Sequence, residues 1–146
     1  MLKKYQKMVN ESIPMTRYME WSIQTLSSTH ISTISQLSPN INVHGTGFAG
    51  SIYAAAMATG WTLLKCWYDH HQFDAELVAA EATIKYKCPV TSDFECKAIL
   101  DQRTPQYEKL TERLSNLRSC GFSQEVEIIC DAKVCAILTI QFVFKC

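Results

Sequence analysis

The sequence predicts one α+β domain in which an antiparallel sheet wraps a single long, buried helix. Three observations carry this reading. The stretch Phe48–Tyr68 is apolar around its whole circumference, with Lys65 as its only charge, and a helix of that kind belongs inside a protein or a membrane. The runs that follow it alternate apolar and polar residue by residue, as strands do when one face meets a core and the other meets water. The chain has 146 residues, 47% of them hydrophobic, which suits one core spanning residues 1–146 rather than two domains.

The elements follow in order. Leu2–Tyr18 reads as helix, with Tyr5, Met8 and Val9 on one face and lysines opposite. Pro14 predicts a bend or a second short helix there. From Met19 to Leu37 the chain is rich in Ser, Thr and Ile, which predicts two strands with a turn near Ser27–Thr29. Ser38-Pro39-Asn40 breaks that run. The long helix then spans Phe48–Tyr68. A spanning helix needs about 20 strongly apolar residues, and the Ala, Gly, Ser and Thr content here favours burial in the protein, where small side chains allow a sheet to come close.

After the polar stretch Asp69–Asp74, Val78, Ala80, Ala82, Ile84 and Tyr86 share one face of a half-buried strand. Pro89 ends it, and Asp93–Leu100 is expected to return as its hairpin partner. Thr104-Pro105 is an N-cap followed by proline at the first helical position. Tyr107, Leu110, Leu114 and Leu117 mark an amphipathic helix, with Gly121 as its expected stop. Strands Gln124–Cys130 and Lys133–Lys145, joined at Asp131-Ala132, complete the chain. A curled antiparallel sheet around one helix is the hot-dog architecture.

Composition narrows the partners. Fourteen basic residues balance fourteen acidic ones, so no concentrated positive field favours nucleic acid or an anionic membrane. Seven cysteines are many for this length, yet none form a Cys-x-x-Cys pair, the spacing that marks zinc ribbons and thioredoxin-like sites. Met1–Ser12 is polar and charged, unlike a secretory leader. The cysteines therefore read as reduced packing residues of a cytoplasmic protein.

The chemistry concentrates in Asn40-Ile-Asn42-Val-His44-Gly45-Thr46-Gly47-Phe48-Ala49-Gly50-Ser51, which leads into the long helix. Gly45, Gly47 and Gly50 spell a literal Gly-x-Gly-x-x-Gly, with Asp69 roughly 20 residues on. The context opposes a dinucleotide site, because the following strands alternate as antiparallel ones do. What remains is local physics. Glycines before a helix let backbone N–H groups face outward at its positive end, where developing negative charge is stabilised. Asn42 can add a side-chain donor, and His44 can move a proton near neutral pH. The bland alternative is that Asn40 and Asn42 shape a turn and His44 is an exposed loop residue.

Pro39-Asn40-x-Asn42-x-x-Gly45-Thr46-x-Phe48-Ala49-Gly50-Ser51-x-Tyr53, then Gly60-Trp61, Tyr86 and Pro89, resembles the YiiD C-terminal-type thioesterase family, a hot-dog group, over nearly the whole chain. The resemblance implies a homodimer or dimer of dimers, with sites at the interface for acyl groups carried on coenzyme A or acyl carrier protein. It points to Asn42, His44, Gly50 and Ser51 as catalytic candidates. Asn40, Gly45, Thr46, Gly47, Phe48, Tyr53 and Met57 are the candidate substrate contacts. No metal and no further cofactor is expected, since coenzyme A or phosphopantetheine carries the acyl group.

One departure is informative. Phenylacetate-type hot-dog thioesterases carry His-Gly-Gly after the Asn and Gly, then a helix acid that activates water. Aligning Asn42 and Gly45 puts Phe48-Ala49-Gly50 in place of His-Gly-Gly and Met57 in place of the acid. Chemistry that needs an oxyanion hole but no base fits better. Decarboxylation of a malonyl thioester, above all malonyl-acyl carrier protein feeding fatty acid synthesis, is the leading expectation. Hydrolysis is the second, and non-catalytic acyl-thioester binding the third. Other features read as structural: Asp69-His70-His71 as a polar helix end, and Lys85 and Lys87 as solvated lysines that could also meet a phosphate or an acidic carrier.

Overall fold

The structure is a computed structural model that describes residues 1–146. Helix α1 (Leu2–Ser12) buries Tyr5 and Val9, and Pro14 separates it from the single turn α2 (Met15–Tyr18). Strands β1 (Trp21–Leu26) and β2 (His30–Ser35) form the expected hairpin, with a bulge between Ile23 and Thr25. A 3₁₀ turn at Ser38–Asn40 and an irregular loop lead into α3 (Ala49–His70). Then come β3 (Glu76–Tyr86), β4 (Phe94–Ile99), α4 (Pro105–Ser115), β5 (Cys120–Cys130) and β6 (Lys133–Lys145).

The six strands make one antiparallel sheet in the order β1-β2-β4-β5-β6-β3. Helix α3 lies in its concave face and touches β2 through β6. Gly60 permits the approach: a Cβ there would sit 2.9 Å from Ile140 Cδ1 and 3.1 Å from Val126 Cγ2. The buried Thr33 and Thr59 hydroxyls at this contact are partnered. Trp21 Nε1 donates to Thr59 Oγ1 (3.1 Å), Thr33 meets the same oxygen (2.8 Å), and Thr59 donates to the Ala55 carbonyl (2.8 Å). No helix is long and apolar enough to cross a membrane.

Three expectations about elements are corrected. First, β3 does not pair with β4; it pairs with β6 along its whole length and lies at the sheet edge. The connection carrying Pro89 and the buried Val90 runs across the N-terminal end of α3 instead of turning back, with Gly47 N donating to Val90 O at 2.8 Å. Second, a bulge between Ala79 and Glu81 shifts the alternation, so Leu77 rather than Val78 is the buried partner of the Ala82–Ile84 face. Much of the strand is exposed. Third, Gly121 does not stop α4. The helix ends at Ser115, where Arg118 N reaches Arg113 O (2.9 Å) and Leu117 N reaches Leu114 O (3.2 Å). That is a Schellman closure with Leu117 at φ 56° and exposed. Gly121 is a strand residue, and β5 starts four residues earlier than its alternation suggests because Cys120 and Phe122 already face the core.

The C-terminal end of α3 is closed by contacts. Tyr5 donates its hydroxyl to Asp69 Oδ2 (2.7 Å), and Lys65 Nζ holds Asp69 Oδ1 (2.9 Å). Trp67, fully buried, packs against His71, Phe73, Tyr107 and Phe144. Asp69 and His71 are thus spent on packing: His71 Nδ1 lies 2.9 Å from the Trp67 carbonyl.

Candidate functional site

The loop before α3 is built by Asn42. Its Oδ1 accepts from the N–H groups of His44 (2.9 Å) and Thr46 (3.1 Å), while its Nδ2 donates to Thr46 Oγ1 (2.9 Å) and the Gly47 carbonyl (3.3 Å). This is an asparagine-nucleated turn of the kind that fixes short loops. Gly45, at φ 78°, supplies the left-handed residue that the reversal requires. Ile41 and Gly47 close the loop with an isolated bridge.

Asn40 lies beneath the loop and is almost fully buried. Its Nδ2 donates to the carbonyls of Met19 (2.8 Å) and Gln36 (2.6 Å), and its own carbonyl accepts from Phe48 N (2.7 Å). Its Oδ1 has no protein partner. Asn40 therefore anchors the loop to the hairpin end and sets where α3 begins.

At that beginning the helix is uncapped. No side chain caps it, no acidic residue lies in its first turn, and the first helical bond runs from Ile52 N to Phe48 O. The N–H groups of Ala49, Gly50 and Ser51 have no partner. Unpaired N–H groups at the positive end of a helix form an anion-accepting site. The Phe48 ring folds over Gly50, with its Cε2 2.6 Å from where a Cβ would stand.

A groove of about 400 Å³ opens beside this helix end. Asn42, Thr46 and Ala49 line one wall, and Tyr86, Cys88 and Pro89 line the other. Tyr86 joins the walls by donating its hydroxyl to the Ala49 carbonyl (2.8 Å). Burial pushes the Tyr86 phenol above its usual value, followed by the effect of nearby Tyr53. Lys87 stands at the same wall. No carboxylate lines the groove.

The structure thus brings together Asn42, Thr46 and Gly47 with the first turn of α3, where Gly50 and Ser51 sit. Gly45 stays in the turn of the loop and Phe48 stands at the helix entrance. His44 is exposed on the loop and does not line the groove. Tyr53 and Met57 are half-buried further along α3. Sequence reasoning missed the second wall, Tyr86 to Val90. The one available signal was that Tyr86 and Pro89 belong to the resembled pattern; nothing local shows that a strand end 37 residues from Ala49 returns to it.

Comparison with known proteins agrees with this architecture. The family model described as "Putative thioesterase (yiiD_Cterm)" matches residues 2–146. A crystal structure of a thioesterase-family protein from Shewanella oneidensis is 30% identical, covers 99% of this chain and 97% of its own, and superposes with a TM-score of 0.88. Two more distant structures share the fold. A thioesterase from Haemophilus influenzae has 12% identity, coverage of 99% and 89%, and a TM-score of 0.74. A phenylacetic acid degradation protein from Thermus thermophilus, solved as an Asn-to-Asp mutant, has 17% identity, coverage of 91% and 99%, and a TM-score of 0.64. With the match spanning both walls of the groove and the whole of α3, the chain belongs to the YiiD C-terminal thioesterase family, and its fold is the hot-dog fold.

Proposed function

We propose that the protein decarboxylates a malonyl thioester to the acetyl thioester, with the acyl group presented on acyl carrier protein or coenzyme A. One observation carries this reading: the first turn of α3, with the N–H groups of Ala49, Gly50 and Ser51 unpartnered, begins at a groove that Ala49 lines and that has no carboxylate in its lining. Cleavage of the bond to the carboxylate releases carbon dioxide and leaves its electron pair on the α-carbon, delocalised onto the thioester oxygen. Helix N–H groups stabilise that enolate as they would any developing oxyanion. Protonation at carbon then gives the acetyl thioester. No base is needed, and none is offered.

Asn42 is a positioning residue that shapes the loop beside the groove. Its longest bond, Nδ2 to the Gly47 carbonyl at 3.3 Å, is the one that can yield to the thioester oxygen when substrate enters. Solvent returns the proton, since His44 stands outside the groove. Lys87 supplies a positive charge at the groove wall for the malonyl carboxylate or the carrier phosphate. Edge strand β3 leaves one side unpaired beside the half-buried Tyr53, Met57 and Trp61, and this supports assembly as a homodimer through that edge.

Hydrolysis is the second reading, favoured by the family description and by the thioesterase structures that share the fold. The experiment is incubation with malonyl and acetyl thioesters of both carriers, followed by mass spectrometry of the products. Acetyl thioester formed from malonyl thioester, and lost in Asn42→Ala, supports decarboxylation. Free acid with free carrier thiol overturns it in favour of hydrolysis. No turnover on either carrier overturns both and leaves acyl-thioester binding.

A further inference from the structure

Two cysteines meet behind the groove. Cys88 lines the wall opposite Asn42 and is half-buried. Cys135 lies beneath it on β6 and is 1% exposed. It occupies a β-bulge: Ile128 pairs with Ala136 and Ile129 with Val134, so Cys135 is skipped. Its carbonyl accepts from both Lys87 N (2.7 Å) and Cys88 N (3.2 Å). The shared carbonyl brings the two backbones to within one hydrogen bond of each other.

The side chains reach across one another. Cys88 Sγ contacts the carbonyl of Val134 (4.0 Å), next to Cys135, and Cys135 Sγ contacts the carbonyl of Pro89 (3.8 Å), next to Cys88. Each sulfur lies over the other's neighbour, so the two stand side by side. A third cysteine, Cys130, also neighbours Cys135, whose sulfur lies 4.0 Å from the Cys130 carbonyl, but the Cys130 thiol itself is engaged at 3.1 Å from Ser92 Oγ and 3.6 Å from Asp131 Oδ2. Burial first, and the neighbouring Cys88 thiol second, push the Cys135 thiol up to about 12. Cys135 is therefore poorly suited to react first, whereas Cys88 opens onto the groove.

We propose that Cys88 and Cys135 form an oxidation site in which Cys88 attacks a hydroperoxide entering the groove and Cys135 closes a disulfide, pinning the β3–β4 crossover to β6. The Cys88 thiolate displaces the O–O bond, keeps one oxygen as sulfenic acid and releases the other as water or alcohol. The Cys135 sulfur then attacks the Cys88 sulfur, the S–O bond breaks, and hydroxide leaves with the Cys135 proton as water. Together the thiols lose the two electrons that the peroxide gains. The crossover carries Val90, whose carbonyl holds Gly47 N. The disulfide thus fixes the segment against which the glycine loop is seated and removes the thiol from the groove. The site stands independently of the proposed reaction, because its chemistry is read from mass and not from turnover.

The test uses the full chain with Cys146→Ser, since Cys146 is exposed and would cross-link copies. After exposure to hydrogen peroxide, intact mass should fall by two hydrogens, peptide mapping should join Cys88 to Cys135, and dithiothreitol should reverse both. Cys135→Ser should accumulate a dimedone-reactive sulfenic acid at Cys88, and Cys130→Ser should leave the cross-link intact. If Cys135→Ser fails to fold, the peptide map of the parent chain decides alone. A cross-link through Cys130, or stable oxygen addition at Cys88 with no loss of hydrogen while Cys135 is present, overturns the proposal. So does a Cys88 that resists peroxide concentrations sufficient to oxidise the methionines.

Discussion

The two ends of α3 are made of opposite materials. At the C-terminal end the side chains are tied down: Asp69 is shared by Tyr5 and Lys65, His71 caps back on Trp67, and Trp67 is buried among four aromatic rings. At the N-terminal end three N–H groups are left open, the cap side chain is missing, and Asn42 spends its whole amide on holding a glycine loop in shape. A capping Ser, Thr or Asp there is worth about 1 kcal/mol. The chain forgoes it. The difference teaches that stability is built at one end of the central helix and chemistry is kept available at the other.

Changes at the closed end should therefore cost folding, and changes at the open end should cost function. Trp67→Ala has the largest expected effect, destabilising the fold by about 3–5 kcal/mol in a denaturant titration, because it empties a fully buried site. Asn42→Asp should cut turnover by about 100-fold, near 2.7 kcal/mol, while the melting temperature moves little. The aspartate keeps the acceptor for His44 N and Thr46 N, replaces the donor to the Gly47 carbonyl with an acceptor, and adds a negative charge beside the developing one. Equal losses of stability and activity would blur the contrast.

Tyr5→Phe tests the closed end more finely. Losing a hydroxyl that donates to a partly exposed carboxylate should cost about 1–1.5 kcal/mol, with turnover unchanged. Burial, followed by Asp69, raises the Tyr5 phenol above its usual 10.0. A group raised on folding gives stability that is complete below its unfolded value and lost as pH climbs above it. Stability of the parent protein should accordingly fall more steeply above pH 10 than that of Tyr5→Phe. Gly50→Ala is the smallest change. Alanine's helix preference of about 1 kcal/mol offsets the displaced Phe48 ring, so stability should hold within about 0.5 kcal/mol. Turnover should drop, because the methyl group and the displaced ring crowd the first turn of α3.

Much of this contrast was legible from residues alone. The all-round apolarity of Phe48–Tyr68 gave α3 to within two residues at its C-terminal end, and the glycine loop with Asn42 gave one wall of the groove. Alternation identified the strands because one-sided burial leaves a period of two in the sequence. Pairing was not written that way. Neighbouring strands usually pair, yet β3 crosses to β6 because Pro89 and Val90 carry the chain over the helix end. The second wall, from Tyr86 to Val90, exists only through that crossover, so no local pattern announced it. The bulges at Ala80 and Cys135, and Leu117 in a left-handed closure, were equally silent. The bulges answer to strand pairing across the sheet, and Leu117 to the closing turn of α4, rather than to any preference of the residues themselves.

The most direct test of the open-end claim is Ser51→Asp, assayed for malonyl-thioester turnover and thermal stability together. An aspartate in the first turn satisfies the helix's positive end and should stabilise the fold by about 0.3–1 kcal/mol. The same carboxylate occupies the N–H groups that the enolate needs, so turnover should fall at least tenfold while the melting temperature rises or holds. Undiminished decarboxylation in a stabilised Ser51→Asp protein would contradict the account and place the oxyanion site away from the start of α3.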